Sequence, residues 1–132
     1  MTPHHIPSHK YMDYYKPSYI SGQDAFGNPA YTQYSHAEGL TIQMDTPLHY
    51  KTWTYGGGGR AMDPSQYNPM DILNKDIEDV IDIYKKAGAS DADLEKITQN
   101  LSNLKQSNIN RWWIQNKETG KWEKFFKFPP CP

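Results

Sequence analysis

His4 and His5 stand side by side near the front of the chain, followed by Ile6, Pro7 and Ser8, and a third histidine, His49, comes much later. An imidazole with an ordinary pKa of roughly 6.5 can take a proton from water at neutral pH, and it is also a ligand for divalent metals. Successive side chains on a strand face opposite sides, so an adjacent pair cannot do one job from a strand interior. At a strand end or in a loop, two neighbours can take different tasks at one centre. A third group is then needed to complete the site, and His49 is the candidate.

The elements that must position these residues follow from local patterns. Residues 39–44, Gly-Leu-Thr-Ile-Gln-Met, alternate Leu40, Ile42 and Met44 against Thr41 and Gln43, the period of a strand with one buried face. Asp45-Thr46-Pro47 follows, a capping side chain ahead of a proline suited to a first helical turn. A helix is expected from about Thr46, carrying Leu48, His49, Lys51 and Thr52, and Gly56 to Gly59 must end it. The rest of residues 1–70 is expected to be loop and short strand, with turns at Ser21-Gly22 and Gly27-Asn28-Pro29.

The second half is more regular. Ile72, Leu73, Ile77, Val80, Ile81 and Tyr84 recur at helical steps between Asp71 and Ala87, with Gly88 as the stop. Ser90-Asp91-Ala92-Asp93 opens a second helix with Leu94, Ile97, Leu101 and Leu104 on one stripe, and the two helices should form an antiparallel hairpin. From Arg111 to Phe128 the pattern suggests a short helix or a strand pair around Thr119-Gly120, then a Pro-rich tail. No internal repeat is visible.

The His-His-Ile-Pro element, the strand at 39–44 and the helix Thr46-Pro-Leu-His-Tyr-Lys-Thr52 resemble the ββα-metal, or His-Me finger, core of HNH endonucleases. The likeness covers roughly residues 2–60. It is nearest to the HNH-type toxin tips at the C-terminal ends of bacterial polymorphic toxins, including those delivered by contact or by type VI secretion. The resemblance implies an α+β fold: a ββα-metal catalytic core over 1–60, with a C-terminal helical hairpin and an aromatic-basic tail over 61–132 of one domain. It implies His4 and His49 as ligands of one divalent ion and His5 as the base that activates water. Two imidazoles suit Mn²⁺, Ni²⁺ or Zn²⁺ by softness, and Mg²⁺ suits the cell by abundance. The family's hairpin Asn is replaced by Gly39, a role that Gln43 or His36 could take in space. Trp53 stands where many members place a further ligand. The activity implied is sequence-nonspecific cleavage of DNA by an antibacterial effector. Its partners would be a parent delivery protein and a cognate immunity protein, and its place of action the target-cell cytoplasm.

Other residues receive plainer expectations. His9 and His36 have no place in this set and are expected at the surface, and Asp45 is expected as a cap. Gly56–Gly59 with Arg60 could be a connector or a phosphate cradle, but lacks the Lys-Ser/Thr of a P-loop. Lys51, Arg60, Lys121, Lys124 and Lys127 are candidates for nucleic-acid contact, the last three interleaved with Trp122, Phe125, Phe126 and Phe128. Equally, those aromatics could close the core.

Composition sets the bounds. The 132 residues suit one domain, with 36% hydrophobic and 14% aromatic residues around much irregular structure. The net charge of −1 gives no global case for nucleic acid or membrane, yet residues 71–104 carry −4 and residues 105–132 carry +4. One cysteine, Cys131, cannot form an internal disulfide. No apolar run approaches the roughly 18–20 residues of a membrane helix, and no cleavable leader is expected. The other functions weighed are a metal-stabilised binding module for nucleic acid or protein, and an RNase. A structural zinc site would need four protein ligands, usually with Cys, and the open set here favours catalysis.

Overall fold

The computed structural model describes residues 1–54 and 63–127. Gly56 to Gly59, Arg60 and Cys131 therefore lie outside the described residues. The fold is α+β with antiparallel sheets. Strand β1 (Thr2–His5) pairs with β4 (Thr41–Met44), aligning His4 with Ile42 and His5 with Thr41. A four-residue helix, α2 (Thr46–His49), follows β4 directly.

Between β1 and β4 lie helix α1 (His9–Tyr15), strands β2 (Ser18–Gln23) and β3 (Pro29–Gln33), and a 3₁₀ turn, His36–Glu38. The β2–β3 turn is set by Asp24, whose carboxylate accepts from the Phe26 and Asn28 N–H groups, and by Gly27 at φ +83°. Helix α1 was not expected. Seven residues are too few to display a helical period, and it is held by the Ser8 cap and by burial of Tyr11 and Met12.

Helices α3 (Pro69–Lys86) and α4 (Asp91–Arg111) pack on each other, as the two stripes predict. Each start is capped by a side chain, Asn68 for α3 and Ser90 for α4, and Gly88 takes the left-handed conformation after α3. Strands β5 (Trp113–Gln115) and β6 (Trp122–Lys124) form the strand pair allowed by the sequence, and β5 pairs with β2 to give the order β3-β2-β5-β6.

This sheet joins residues on both sides of position 60, and so does the core. Ile6, Tyr11, Met12, Met44, Ile72, Leu73, Val80, Leu101, Trp112 and Phe126 are all fully buried in one cluster. Burying each such side chain contributes roughly 1.5–3 kcal/mol. Phe125 and Phe126 close the core, while Trp113 and Trp122 remain half-buried, with Trp122 stacked on Tyr31 at 3.8 Å. Among the described residues no helix is long and apolar enough to cross a membrane.

Two sequence expectations need correction. The helix carrying His49 ends at that residue, leaving Lys51 and Thr52 in the turns beyond it. Asp45 occupies the N-cap position, but its side chain makes no cap hydrogen bond. Its N–H instead donates to the Tyr84 hydroxyl of α3 at 3.2 Å, which fixes the start of α2 from outside.

Candidate functional site

Strand alternation turns the two adjacent histidines apart at the end of β1, where the charges of His4, His5 and His49 still bear on one another. His4 turns inward and is only 4% exposed, and its ring lies 5.1 Å from that of His49, centroid to centroid. His5 is half-buried. Burial, and then the neighbouring His49 and His5, hold the His4 pKa down at about 4, and burial also lowers that of His49. Both rings are therefore neutral at pH 7, the form in which an imidazole nitrogen can bind a metal without first losing a proton.

The separation also fits a shared ion. A metal bonded to an imidazole nitrogen at about 2.0–2.1 Å lies roughly 3 Å from the ring centroid, so centroids within about 6.5 Å can share one. The two rings meet this limit. Among the described residues no group of three or more His, Cys, Asp or Glu side chains could hold a metal. Trp53, where a further ligand was considered, is engaged elsewhere.

That engagement depends on Asp76, a buried acid on α3. One carboxylate oxygen accepts from the Ser8 N–H at 2.9 Å and the other from the Trp53 indole N–H at 2.8 Å. Ser8 follows the His4 strand and Trp53 follows the His49 helix, so one side chain clamps the exits of both elements. Asp79 adds a bond from the Trp53 backbone N–H at 3.0 Å, and the Thr2 hydroxyl bonds that of Thr46 at 2.9 Å. The spacing of the pair is thus set chiefly from α3.

His5 is held differently. Its Nε2–H donates to the His36 carbonyl at 3.3 Å, which leaves Nδ1 as the nitrogen able to take a proton. Burial lowers its pKa, partly offset by that bond. Gly39 leaves room for the ring, since a Cβ there would lie 2.9 Å from His5 Cδ2 and 3.2 Å from the Tyr34 hydroxyl. The turn bearing the carbonyl is anchored by Glu38, which accepts from Arg111 at 2.8 Å, and Arg111 lies over the rings of Tyr19 and Trp112. Compared with known protein families, curated proteins and solved structures, the chain matches none.

The remaining expected residues are not gathered at one place. Gln43 is exposed on β4, so of the two residues considered for the Asn role it is His36, through its carbonyl, that reaches His5. Lys51 and Lys121 are exposed. Lys124 donates to the Asn110 carbonyl at 3.0 Å and sits 4.1 Å over the Trp113 ring, and Lys127 pairs with Glu123 at 3.0 Å. Arg60 lies outside the described residues.

Sequence reasoning missed Asp76 and Asn108. Asn108 is fully buried on α4, donating to the Ile6 carbonyl at 2.9 Å and accepting from the Trp112 indole N–H at 3.0 Å. It pins the residue directly after the histidine pair from the far end of the chain. Both residues left a signal: Asp76 falls between Ile72 and Val80, and Asn108 seven residues after Leu101, on apolar stripes where a polar residue needs a buried partner.

Proposed function

We propose that the chain is a metal-dependent, DNA-cleaving nuclease of the ββα-metal type. The observation that carries this reading is the His4–His49 pair at 5.1 Å, with His5 on the same strand restrained by the His36 carbonyl. The antiparallel pairing of β1 with β4, and α2 directly after β4, support the reading. Asn108 does from α4 what the Asn absent at position 39 would do, tying down the first strand.

His4 and His49 would hold one divalent ion. Bound there, it would supply electrostatic stabilisation of the charge that develops during phosphodiester hydrolysis. His5 takes a proton from the attacking water through Nδ1, while its Nε2–H stays on the His36 carbonyl and keeps the ring aimed. In-line attack forms a P–O bond to the water oxygen and breaks the P–O3′ bond, and the 3′ oxygen takes a proton from solvent, leaving 5′-phosphate and 3′-hydroxyl ends. General-base assistance of this kind accounts for about 10²–10⁴-fold in rate. The resemblance stated above extends the proposal to an antibacterial effector, injected into a target cell, carried by a delivery protein and restrained in its producer by an immunity protein.

Supercoiled plasmid incubated with Mg²⁺ or Mn²⁺ tests the reading. The expected result is nicking that EDTA abolishes and that His5→Ala reduces at least 100-fold. Intact plasmid with degraded RNA would instead assign an RNase, and intact plasmid and RNA a binding module.

A further inference from the structure

All five histidines of the chain take part in two neighbouring groups, although they are spread from position 4 to 49. The proposed chemistry uses His4, His5 and His49. His9 and His36 are left over, and the fold brings them beside His5. The His36 ring stacks on His5 at 4.5 Å and lies 4.3 Å from His9, and the His5 and His9 centroids are 6.2 Å apart. We propose that His9 and His36 form a phosphate-binding site beside His5 that holds a backbone phosphate of the nucleic acid next to the one being cleaved.

Two hydrogen bonds support it. His9 Nδ1 is bonded to the Tyr34 hydroxyl at 2.8 Å. Tyr34 is buried and its hydroxyl pKa is pushed up to about 12, so it keeps its proton and can donate it to Nδ1. The N–H of His9 is then at Nε2, the ring's other nitrogen. His36 is exposed, and its bond to His5 uses only its backbone carbonyl, so its ring remains available.

Charge points the same way. Packed imidazoles such as these three repel one another once protonated. The acids on the neighbouring elements do not relieve this. Glu38, on the His36 turn, is committed to Arg111, and Asp13, on the His9 helix, bears on Tyr34. Among the described residues no ion pair joins a carboxylate to His9 or His36. An anion bridging the two rings supplies the missing opposite charge, and a phosphate offers oxygens to both N–H groups at once.

Naming the ligand as nucleic-acid backbone rests on the nuclease reading, but the test does not require activity. Imidazole NMR signals of the metal-free natural chain are followed during titration with inorganic phosphate, against chloride at equal ionic strength. Saturable shifts at both His9 and His36 are expected with phosphate and not with chloride. His9→Gln should remove the response at His36. His36→Gln, which keeps the carbonyl that holds His5, should remove it at His9. A short oligothymidylate should compete for the same two rings. Rings at 9 and 36 that ignore phosphate, or phosphate that the oligonucleotide cannot displace, would overturn the proposal whether or not plasmid is nicked. Phosphate binding without nicking would preserve this site and remove the nuclease.

Discussion

Replacing Asp76 with Asn should change how the stability of the metal-free protein responds to pH, because two buried groups act in opposite directions. Burial raises the Asp76 carboxyl from its ordinary 3.8 to about 7. Between those values the unfolded chain has lost the proton that the folded chain keeps, so this group's contribution is present below about pH 4 and is lost as pH rises to 7. At 1.36 kcal/mol per tenfold change in proton affinity the loss is about 4 kcal/mol. His4 does the reverse. Its pKa falls from 6.5 to about 4, so stability is lost as pH drops from 6.5 toward 4, by about 3 kcal/mol. In the natural chain the two nearly cancel. Urea unfolding at half-unit steps from pH 4 to 7, in EDTA, gives the comparison. The stability of the natural chain relative to Asp76→Asn should fall by about 4 kcal/mol across that range, as the other groups cancel in the difference. The variant alone should show the rising slope of His4. Parallel curves for the two proteins would refute the account of Asp76 as a buried, proton-retaining clamp.

Asn108→Leu leaves the Ile6 carbonyl and the Trp112 indole N–H in the core without partners, at about 1–3 kcal/mol each. A drop in Tm of about 10 °C by calorimetry is expected, and a drop under about 2 °C would show that these bonds do not hold the first strand. Gly39→Ala places a methyl group 2.9 Å from His5 Cδ2 and should lower plasmid nicking about tenfold or more with metal affinity retained. Full activity in that variant would mean that the His5 position is not critical. Arg111→Met frees Glu38 and loosens the turn that carries the His36 carbonyl, so amide exchange at Gly39 should quicken and nicking should slow. Unchanged exchange would remove Arg111 from the positioning chain.

Much of this arrangement was legible because it is local. The alternation at Leu40, Ile42 and Met44 marked a strand, and β4 covers Thr41–Met44. The stripes of α3 and α4 gave both helices, although α4 runs on to Arg111 because Asn108 and Ile109 continue the buried face where the apolar pattern thins. Helix α1 was hidden because tertiary packing, not its own period, holds it. The grouping of His5, His9 and His36 was hidden for another reason: it depends on where the β2–β3 hairpin returns the chain, and no spacing in the sequence encodes that distance. Asp76 and Asn108 were visible as polar interruptions of apolar stripes, but their partners, Ser8, Trp53 and Ile6, lie 23 to 102 residues away.

Metal binding at His4 and His49 is the claim on which the chemistry depends, and isothermal titration with Mn²⁺ and Zn²⁺ addresses it without any substrate. One ion per chain should bind to the natural protein, with binding lost in His4→Ala and in His49→Ala and kept in His5→Ala. Binding that survives both ligand substitutions, or no binding by the natural protein, would contradict it.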